Sequence, residues 1–191
     1  PLNGSIPVTA GESKTVYAQW KFKELTPPTD GITLTYNANG GTGSYSDGPH
    51  TDGKHTFTIK SLPELEITAP TGFRFNGWNT EPDGSGESVT DTYGPVENSF
   101  TLYAQWIIDI TLTYDANGGT GSSSETKTFN VGEPYTFTVK SRSDTSIDRA
   151  SYAFRYWAEN RDDTGGRYSG GNTITVTGDN KHFVNWNTKP D

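Results

Sequence analysis

The sequence predicts a β-rich α+β protein made of tandem small units, each with about four strands and one short helix. The first observation behind this prediction is composition. Aromatic residues make up 13% of the 191 residues although the hydrophobic fraction is only 30%, and Met is absent. This balance is typical of short strands joined by tight turns around small aromatic cores. The second observation is an internal repeat.

Four segments recur in the same order about 80 residues apart. Collinear matches at a nearly constant spacing are not a coincidence, and they place two repeat units at residues 30–106 and 107–186. The matched pairs are TLTYNANGGTG and TLTYDANGGTG (33–43 and 111–121), HTFTIKS and YTFTVKS (55–61 and 135–141), FNGW and FRYW (75–78 and 154–157), and LYAQW and HFVNW (102–106 and 182–186).

The residues outside the two units follow the same pattern. VYAQW, which ends at Trp20, is a third copy of the closing segment, so residues 1–20 are interpreted as the end of a preceding repeat. Residues 21–29 contain a Pro-Pro pair and predict a stiff linker, and residues 187–191 form a tail. Only IIDI (107–110) separates the units, which is too short for a flexible tether. We therefore expect a piece of a longer protein whose neighbouring repeats hold a restricted orientation.

Two assignments stay open at the ends of the chain. The orphan strand SKTVYAQW could pair with an edge of its own first unit or of a neighbouring molecule. The final FVNWNTKPD also resembles FNGWNTEPD of the first unit. We prefer the interpretation that Trp186 closes the second unit, because NTITVTGD (172–179) is the kind of segment expected before a closing strand.

Alternation of polar and apolar residues identifies the first strands. Residues 33–36 alternate with Leu34 and Tyr36 inward. Asn39-Gly40 follows, and both residues tolerate the positive φ of a primed turn or a glycine bulge. Residues 56–59 alternate likewise and predict a second strand.

A helical crossover and two further strands complete each unit. SLPELEITAP (61–70) is the one credible helix, with Ser61 as its cap and Glu64 three residues on. In the second unit residues 141–151 occupy the same slot. Strands are predicted at 73–78 and 101–106, and this order of elements is that of a small β-grasp sheet.

The five tryptophans fall at equivalent repeat positions. Repetition at fixed strand positions favours packing in the core or between units, and the alternative is an aromatic platform that stacks on a sugar ring. With one Tyr and one Gly from each opening segment, the predicted structural repeat positions are Trp20, Tyr36, Gly40, Trp78, Trp106, Tyr114, Gly118, Trp157 and Trp186.

The residues predict no catalytic, cofactor or metal site. Cys is absent, which excludes disulfides and Cys-ligated zinc. His50, His55 and His182 are scattered and are expected at the surface or the rim. The loops DGSGE and RDDTGG carry carboxylates without the calcium-loop spacing, so solvated loops are favoured over a weak calcium site. NANGGTG lacks the Lys and the following helix of a phosphate-binding loop.

The charge is acidic and uneven. The net charge of the chain is −8; residues 30–106 hold 10 acids and 3 bases (−7), and residues 107–186 hold 10 acids and 8 bases (−2). The sequence shows no basic stripe, so nucleic acid and anionic membranes are poor expected partners. No run approaches about 18 apolar residues, so direct membrane insertion is not expected.

The repeated segments resemble a known family. TYNANGGTG, FRFNGWNTEPDGSG and TLYAQW together resemble the Listeria–Bacteroides repeat, the B-repeat of internalin B-type surface proteins. The second unit matches less fully, because FRYWAENRDD lacks the Gly-Trp pair. The resemblance implies a ubiquitin-like β-grasp fold without catalytic residues or cofactors. It also implies tandem repeats outside the bacterial cell, in adhesins between a recognition domain and a wall anchor.

These observations predict a non-catalytic stalk or spacer and interaction module at the bacterial cell surface. Its expected partners are neighbouring repeats of the same longer chain and a host or microbial surface protein or glycan. The alternative is a dedicated glycan- or protein-binding module that uses exposed aromatic side chains or a sheet edge.

Overall fold

The computed structural model describes residues 30–188. Within that range the chain forms thirteen strands, one four-residue α-helix and one three-residue 3-10 helix. The β-rich prediction is therefore confirmed, but the predicted number of about four strands in each unit is too low, because several short strands lie in segments read as loops. Three predictions lie outside the described residues. They concern residues 1–20, which include Trp20, the linker 21–29, and the last three residues of the tail.

The elements of the first unit are β1 (Ile32–Asn37), β2 (Ser44–His50), β3 (His55–Thr58), α1 (Leu62–Leu65), β4 (Arg74–Asn79), β5 (Ser88–Val89), β6 (Thr92–Val96) and β7 (Phe100–Asp115). The elements that follow are β8 (Ser122–Asn130), β9 (Tyr135–Thr138), the 3-10 helix (Arg142–Asp144), β10 (Tyr152–Ala158), β11 (Arg167–Tyr168), β12 (Thr173–Val176) and β13 (Asn180–Thr188).

Strand β7 belongs to both units. Its first half pairs in parallel with β1 and antiparallel with β4. Its second half pairs antiparallel with β8 and in parallel with β13. Strand β2 adds to β1, β5 adds to β4, and β10 with β11 adds to β13, which gives one nine-stranded sheet. β7 is thus the closing strand of the first unit and the opening strand of the second.

Two smaller sheets accompany the large one, β3 with β6 and β9 with β12. Each contributes to a separate aromatic core. The first core contains Tyr36, Phe57, Trp78 and Trp106, and the second contains the corresponding Tyr114, Phe137 and Trp157, with Trp186 packed against it. The inward placement predicted for Leu34 and Tyr36 is confirmed, since both are fully buried.

The predicted helix is much shorter than ten residues. α1 has a single turn, because Glu66 takes a left-handed conformation with φ 54° and Thr68 then bridges to Thr42. The predicted cap is present: the Glu64 carboxylate accepts hydrogen bonds from the Ser61 N–H (2.8 Å) and hydroxyl (2.6 Å). In the second unit the prediction of a helix is wrong, because residues 142–144 form only a 3-10 turn. Ser141 caps this turn, with its N–H 3.2 Å from Asp144 Oδ2.

The repeated glycine cluster builds a tight turn. Asn39 and Gly40 have φ of 44° and 97°, and the Gly41 N–H donates to the Ala38 carbonyl at 3.0 Å. Positive φ at both central residues is the geometry of a type I′ turn, as predicted. The Asn39 N–H donates to Asn37 Oδ1 at 2.8 Å, and in the second copy Asp115 Oδ1 accepts the same bond at 2.8 Å. The single Asn-to-Asp difference between the copies therefore preserves the hydrogen bond.

The turn also makes a close backbone approach, and this yields a test. A Cβ atom on Gly41 would lie 2.4 Å from the Thr68 carbonyl oxygen and 3.1 Å from the Trp106 ring. We expect Gly41→Ala to lower the free energy of unfolding by about 1–3 kcal/mol, since neither neighbour can retreat without disturbing the core. Gly178→Ala is the matched control, because its added Cβ meets nothing within 4 Å. Equal denaturation midpoints for the two variants would contradict this account.

Candidate functional site

The predicted repeat positions form the same aromatic cluster in both units. The Tyr36 ring meets the Trp78 ring edge-on at 5.0 Å, and Phe75 lies against both Trp78 (5.2 Å) and Trp106 (5.6 Å). In the second unit Tyr114 meets Trp157 at 4.8 Å. Edge-to-face contacts of this kind add stability beyond the buried area alone.

The polar atoms of these rings are all bonded to the backbone. In the first unit Trp106 Nε1 donates to the Ala38 carbonyl (2.7 Å), Trp78 Nε1 donates to the Lys60 carbonyl (3.1 Å), and the Lys60 N–H donates to the Tyr36 hydroxyl (3.1 Å). The same three bonds occur in the second unit, from Trp186 to Ala116 (2.8 Å), Trp157 to Lys140 (2.8 Å) and Lys140 to Tyr114 (2.9 Å).

Burial decides what these rings can do. Trp78, Trp106 and Trp157 are 4%, 1% and 0% exposed, so a sugar cannot stack on them. Trp186 is half-buried and packs against the second core. Burial also raises the pKa of the Tyr36 hydroxyl above its ordinary value, as it does for the equivalent Tyr in the second unit.

The joint between the units is itself a bonded structure. Ile107 lies opposite Arg74 of β4 and opposite Asn130 of β8. Two residues on, Asp109 accepts hydrogen bonds from Thr128 of β8 (2.6 Å) and from the Arg74 guanidinium of β4 (3.2 Å). These two bonds, the Thr128 bond first, hold the pKa of Asp109 below its usual value. One carboxylate thus connects a strand of each unit across β7.

The histidines do not form a metal site. His50 and His55 stack at 3.7 Å with nearly parallel rings, and they pair with Asp47 (3.1 Å) and Asp52 (2.9 Å) respectively. They lie at the rim, as expected. No group of three or more His, Cys, Asp and Glu within residues 30–188 is arranged to hold a metal ion.

The expectation for His182 is wrong, because this side chain is only 2% exposed. It occupies the position in β13 that Leu102 occupies in β7, and the Tyr168 ring stacks on it at 4.8 Å. Nδ1 has no hydrogen-bond partner, and burial lowers the pKa of the imidazole. The sequence carries a signal for this core position. HFVNW aligns with LYAQW, so His182 corresponds to Leu102, which points into the first core.

The acidic glycine loops use their carboxylates internally. Asp83 Oδ1 accepts from the Ser85 N–H (3.0 Å) and hydroxyl (2.6 Å), and Asp162 Oδ1 accepts the same pair of bonds from Thr164 (3.2 and 2.6 Å). These hydrogen bonds lower the pKa of both carboxyls. The two side chains therefore shape their own loops.

Comparison with known proteins gives a family match across both units. The model of the Listeria-Bacteroides repeat domain matches residues 32–105 and 111–181. Two similar proteins are from Evansella cellulosilytica. One, named "Putative Gly-rich membrane protein", is 33% identical over 154 residues, which cover 76% of this chain and 17% of that protein. The other, named "Putative membrane protein", is 31% identical over 104 residues, which cover 50% and 13%.

The chain therefore spans less than a fifth of the length of either relative. No solved structure matches it. In the part of the chain that the structure describes, no helix combines the length and the apolar character needed to cross a membrane.

The two Trp-to-turn hydrogen bonds allow a paired test of the cluster. Trp106→Phe removes the donor for the buried Ala38 carbonyl and leaves a void in a fully buried site. We expect a loss of roughly 2–4 kcal/mol in the free energy of unfolding. Trp186→Phe removes the equivalent bond at a half-buried position, so its cost should be clearly smaller. Chemical denaturation followed by circular dichroism measures both, and a larger loss for Trp186→Phe would contradict the assigned burial.

The buried His182 predicts a pH dependence. Folding lowers the pKa of the His182 imidazole. As the pH falls below about 6.5, His182 therefore binds a proton in the unfolded chain before it does so in the folded protein. The second unit should lose stability as the pH falls from about 7 to 5, whereas His182→Leu removes this dependence and is more stable at both values. Hydrogen exchange of the β13 amides measures the effect. Equal pH slopes in the wild type and the variant would refute it.

Proposed function

The chain belongs to the Listeria-Bacteroides repeat domain family, and from this premise we propose that it is a non-catalytic spacer and interaction segment of a bacterial cell-surface protein. The observation that carries the proposal is strand β7, which runs unbroken from Phe100 to Asp115 through the joint between the units. A segment that holds two units through a shared strand transmits orientation along the chain. That property suits a stalk.

The same observation supports the proposed unit boundaries, 30–106 and 107–186. It also supports a β-grasp fold for each unit, because the strand order is β2-β1-β7-β4-β5 in the first and β8-β7-β13-β10-β11 in the second. In each unit the opening and closing strands lie side by side in parallel. The crossover between them carries α1 or the 3-10 turn.

Alternation along β7 fixes how the units are joined. The buried residues Leu102, Ala104 and Trp106 face the first core, and Ile110, Leu112 and Tyr114 face the second. All six residues have even numbers, so the four-residue linker IIDI leaves the core-facing side chains of both halves of β7 on the same face of the strand. An odd number of linker residues would turn one core face outward.

The surface location rests on the family and on the relatives, whose printed names describe membrane proteins of a bacterium. The buried Trp rings remove the main support for a glycan-binding platform. A host or microbial surface protein remains the proposed external partner.

Two insertions test the spacer role. A single Thr inserted between Ile108 and Asp109 breaks the phase of β7, so the strand must break or bulge at the joint and the units should reorient independently. Insertion of Thr-Thr preserves the phase and should keep one orientation, with the units about 7 Å further apart. Residual dipolar couplings of the two units measure their alignment. Independent tumbling of the units in the unmodified chain would overturn the proposal.

A further inference from the structure

We propose that the second unit carries an arginine-rich aromatic surface that docks on the acidic loop of the first unit of another copy of this chain. We call this surface the Arg–Tyr surface and define it by Arg155, Tyr156, Arg161, Arg167 and Phe183. This docking is independent of the spacer role, because it needs each surface to be intact but does not need a rigid joint.

The centre of the Arg–Tyr surface is the ring of Tyr156. The guanidinium carbons of Arg155 and Arg167 each lie 5.1 Å from its centroid. Its hydroxyl donates to Asp163 Oδ2 at 2.8 Å, and Arg167 reaches the same oxygen at 3.0 Å. Arg155 is exposed and has no ion pair within the described residues, so its charge is available.

The surface lies on the side of the sheet away from the core. Trp157, next to Tyr156, is buried, and so are His182 and Val184 on either side of Phe183. Side chains alternate across a strand, so Tyr156 and Phe183 point to the opposite face. Arg161 extends the surface, with its guanidinium 5.6 Å from the Phe183 ring and 3.9 Å from the Asp115 carboxylate.

The surface is specific to the second unit. The loop from Trp157 to Tyr168 is as long as the loop from Trp78 to Val89 in the first unit. The Asn side chain of the opening turn donates to the Pro82 carbonyl in the first unit and to the Arg161 carbonyl in the second. By this correspondence the first unit has Asn76, Gly77, Pro82 and Ser88 where the second has Arg155, Tyr156, Arg161 and Arg167.

The backbone supports this specialisation. Asp163 takes a left-handed φ of 66° where the first unit has Gly84 at 78°. A non-Gly residue in this region is disfavoured unless its surroundings hold it there. Here Tyr156 and Arg167 hold the Asp163 carboxylate, so the loop is fixed in the shape that presents the arginines.

The complementary partner is found on the same chain. In the first unit the equivalent loop is acidic, with Glu81, Asp83 and Glu87 all exposed. Asp83 bonds Ser85 of its own loop, but Glu81 and Glu87 have no ion pair within the described residues. The carboxylates of Glu81 and Glu87 can therefore pair with Arg155 of a second copy, which is unpaired within residues 30–188, and with its neighbour Arg161. The first unit, at −7 against −2 for the second, is the more acidic side of such a contact. Contacts of this kind are exposed, and we therefore expect weak association that salt screens.

A charge exchange on the full chain tests the docking. Arg155→Glu with Arg161→Glu reverses the Arg–Tyr surface, and Glu81→Lys with Glu87→Lys reverses the acidic loop without touching Asp83. Each double variant should lose self-association at least about tenfold relative to the wild type at about 0.02 M ionic strength. An equimolar mixture of the two double variants should associate again, because each reversed surface then meets a complementary one.

Sedimentation velocity at millimolar protein concentration measures association, and about 0.5 M salt should abolish it. Lys54→Glu is the control, since it changes the net charge in the same direction as the Arg double variant, by half as much, at a residue paired with Glu97 outside both surfaces. Arg155→Asn, which installs the residue of the first unit at an exposed position that is unpaired among the described residues, is a second variant and should also weaken self-association. A monomeric wild type at low ionic strength, or a mixture that stays monomeric, would overturn the proposal.

Discussion

Strand β7 must satisfy two cores at once, and the rest of the architecture depends on that requirement. The same stretch of backbone closes one aromatic core with Trp106 and opens the next with Leu112 and Tyr114. Because side chains point alternately to the two faces of a strand, both cores can be served only if the residues between them keep the phase. The four residues IIDI do so, and Asp109 adds a bond to a strand of each unit. The joint is thus a continuation of secondary structure.

Inside each unit a second constraint explains the near-identical opening segments. The Trp near the end of the unit donates its indole N–H to the carbonyl of the Ala that begins the turn. The turn Asn donates to a carbonyl of the closing strand, from Asn39 to Ala104 and from Asn117 to Val184. First turn and last strand therefore bond reciprocally across almost the whole unit. The second Gly of each turn lies so close to a neighbouring carbonyl that a side chain does not fit.

Much of this could be predicted from local pattern. Alternation located the first strand and its inward residues, and Asn39-Gly40 determined the turn, because both are properties of neighbouring residues. The helix length could not be predicted, since Glu66 leaves the helix under the influence of the Thr42–Thr68 bridge, a contact between distant segments. The burial of His182 depends in the same way on Tyr168, which belongs to another strand.

The Arg–Tyr surface shows what repetition leaves free. The sequence showed no basic stripe because its arginines are dispersed among acids, and only the pairing of β10 with β11 and β13 brings them together. The residues that define the fold, the Tyr, the two Trp and the turn, are the same in both units because the core and the joint require them. The outward residues carry no such requirement, so one unit is strongly acidic and the other presents clustered arginines. A common fold with different outward residues allows successive units to share a backbone while presenting different surfaces.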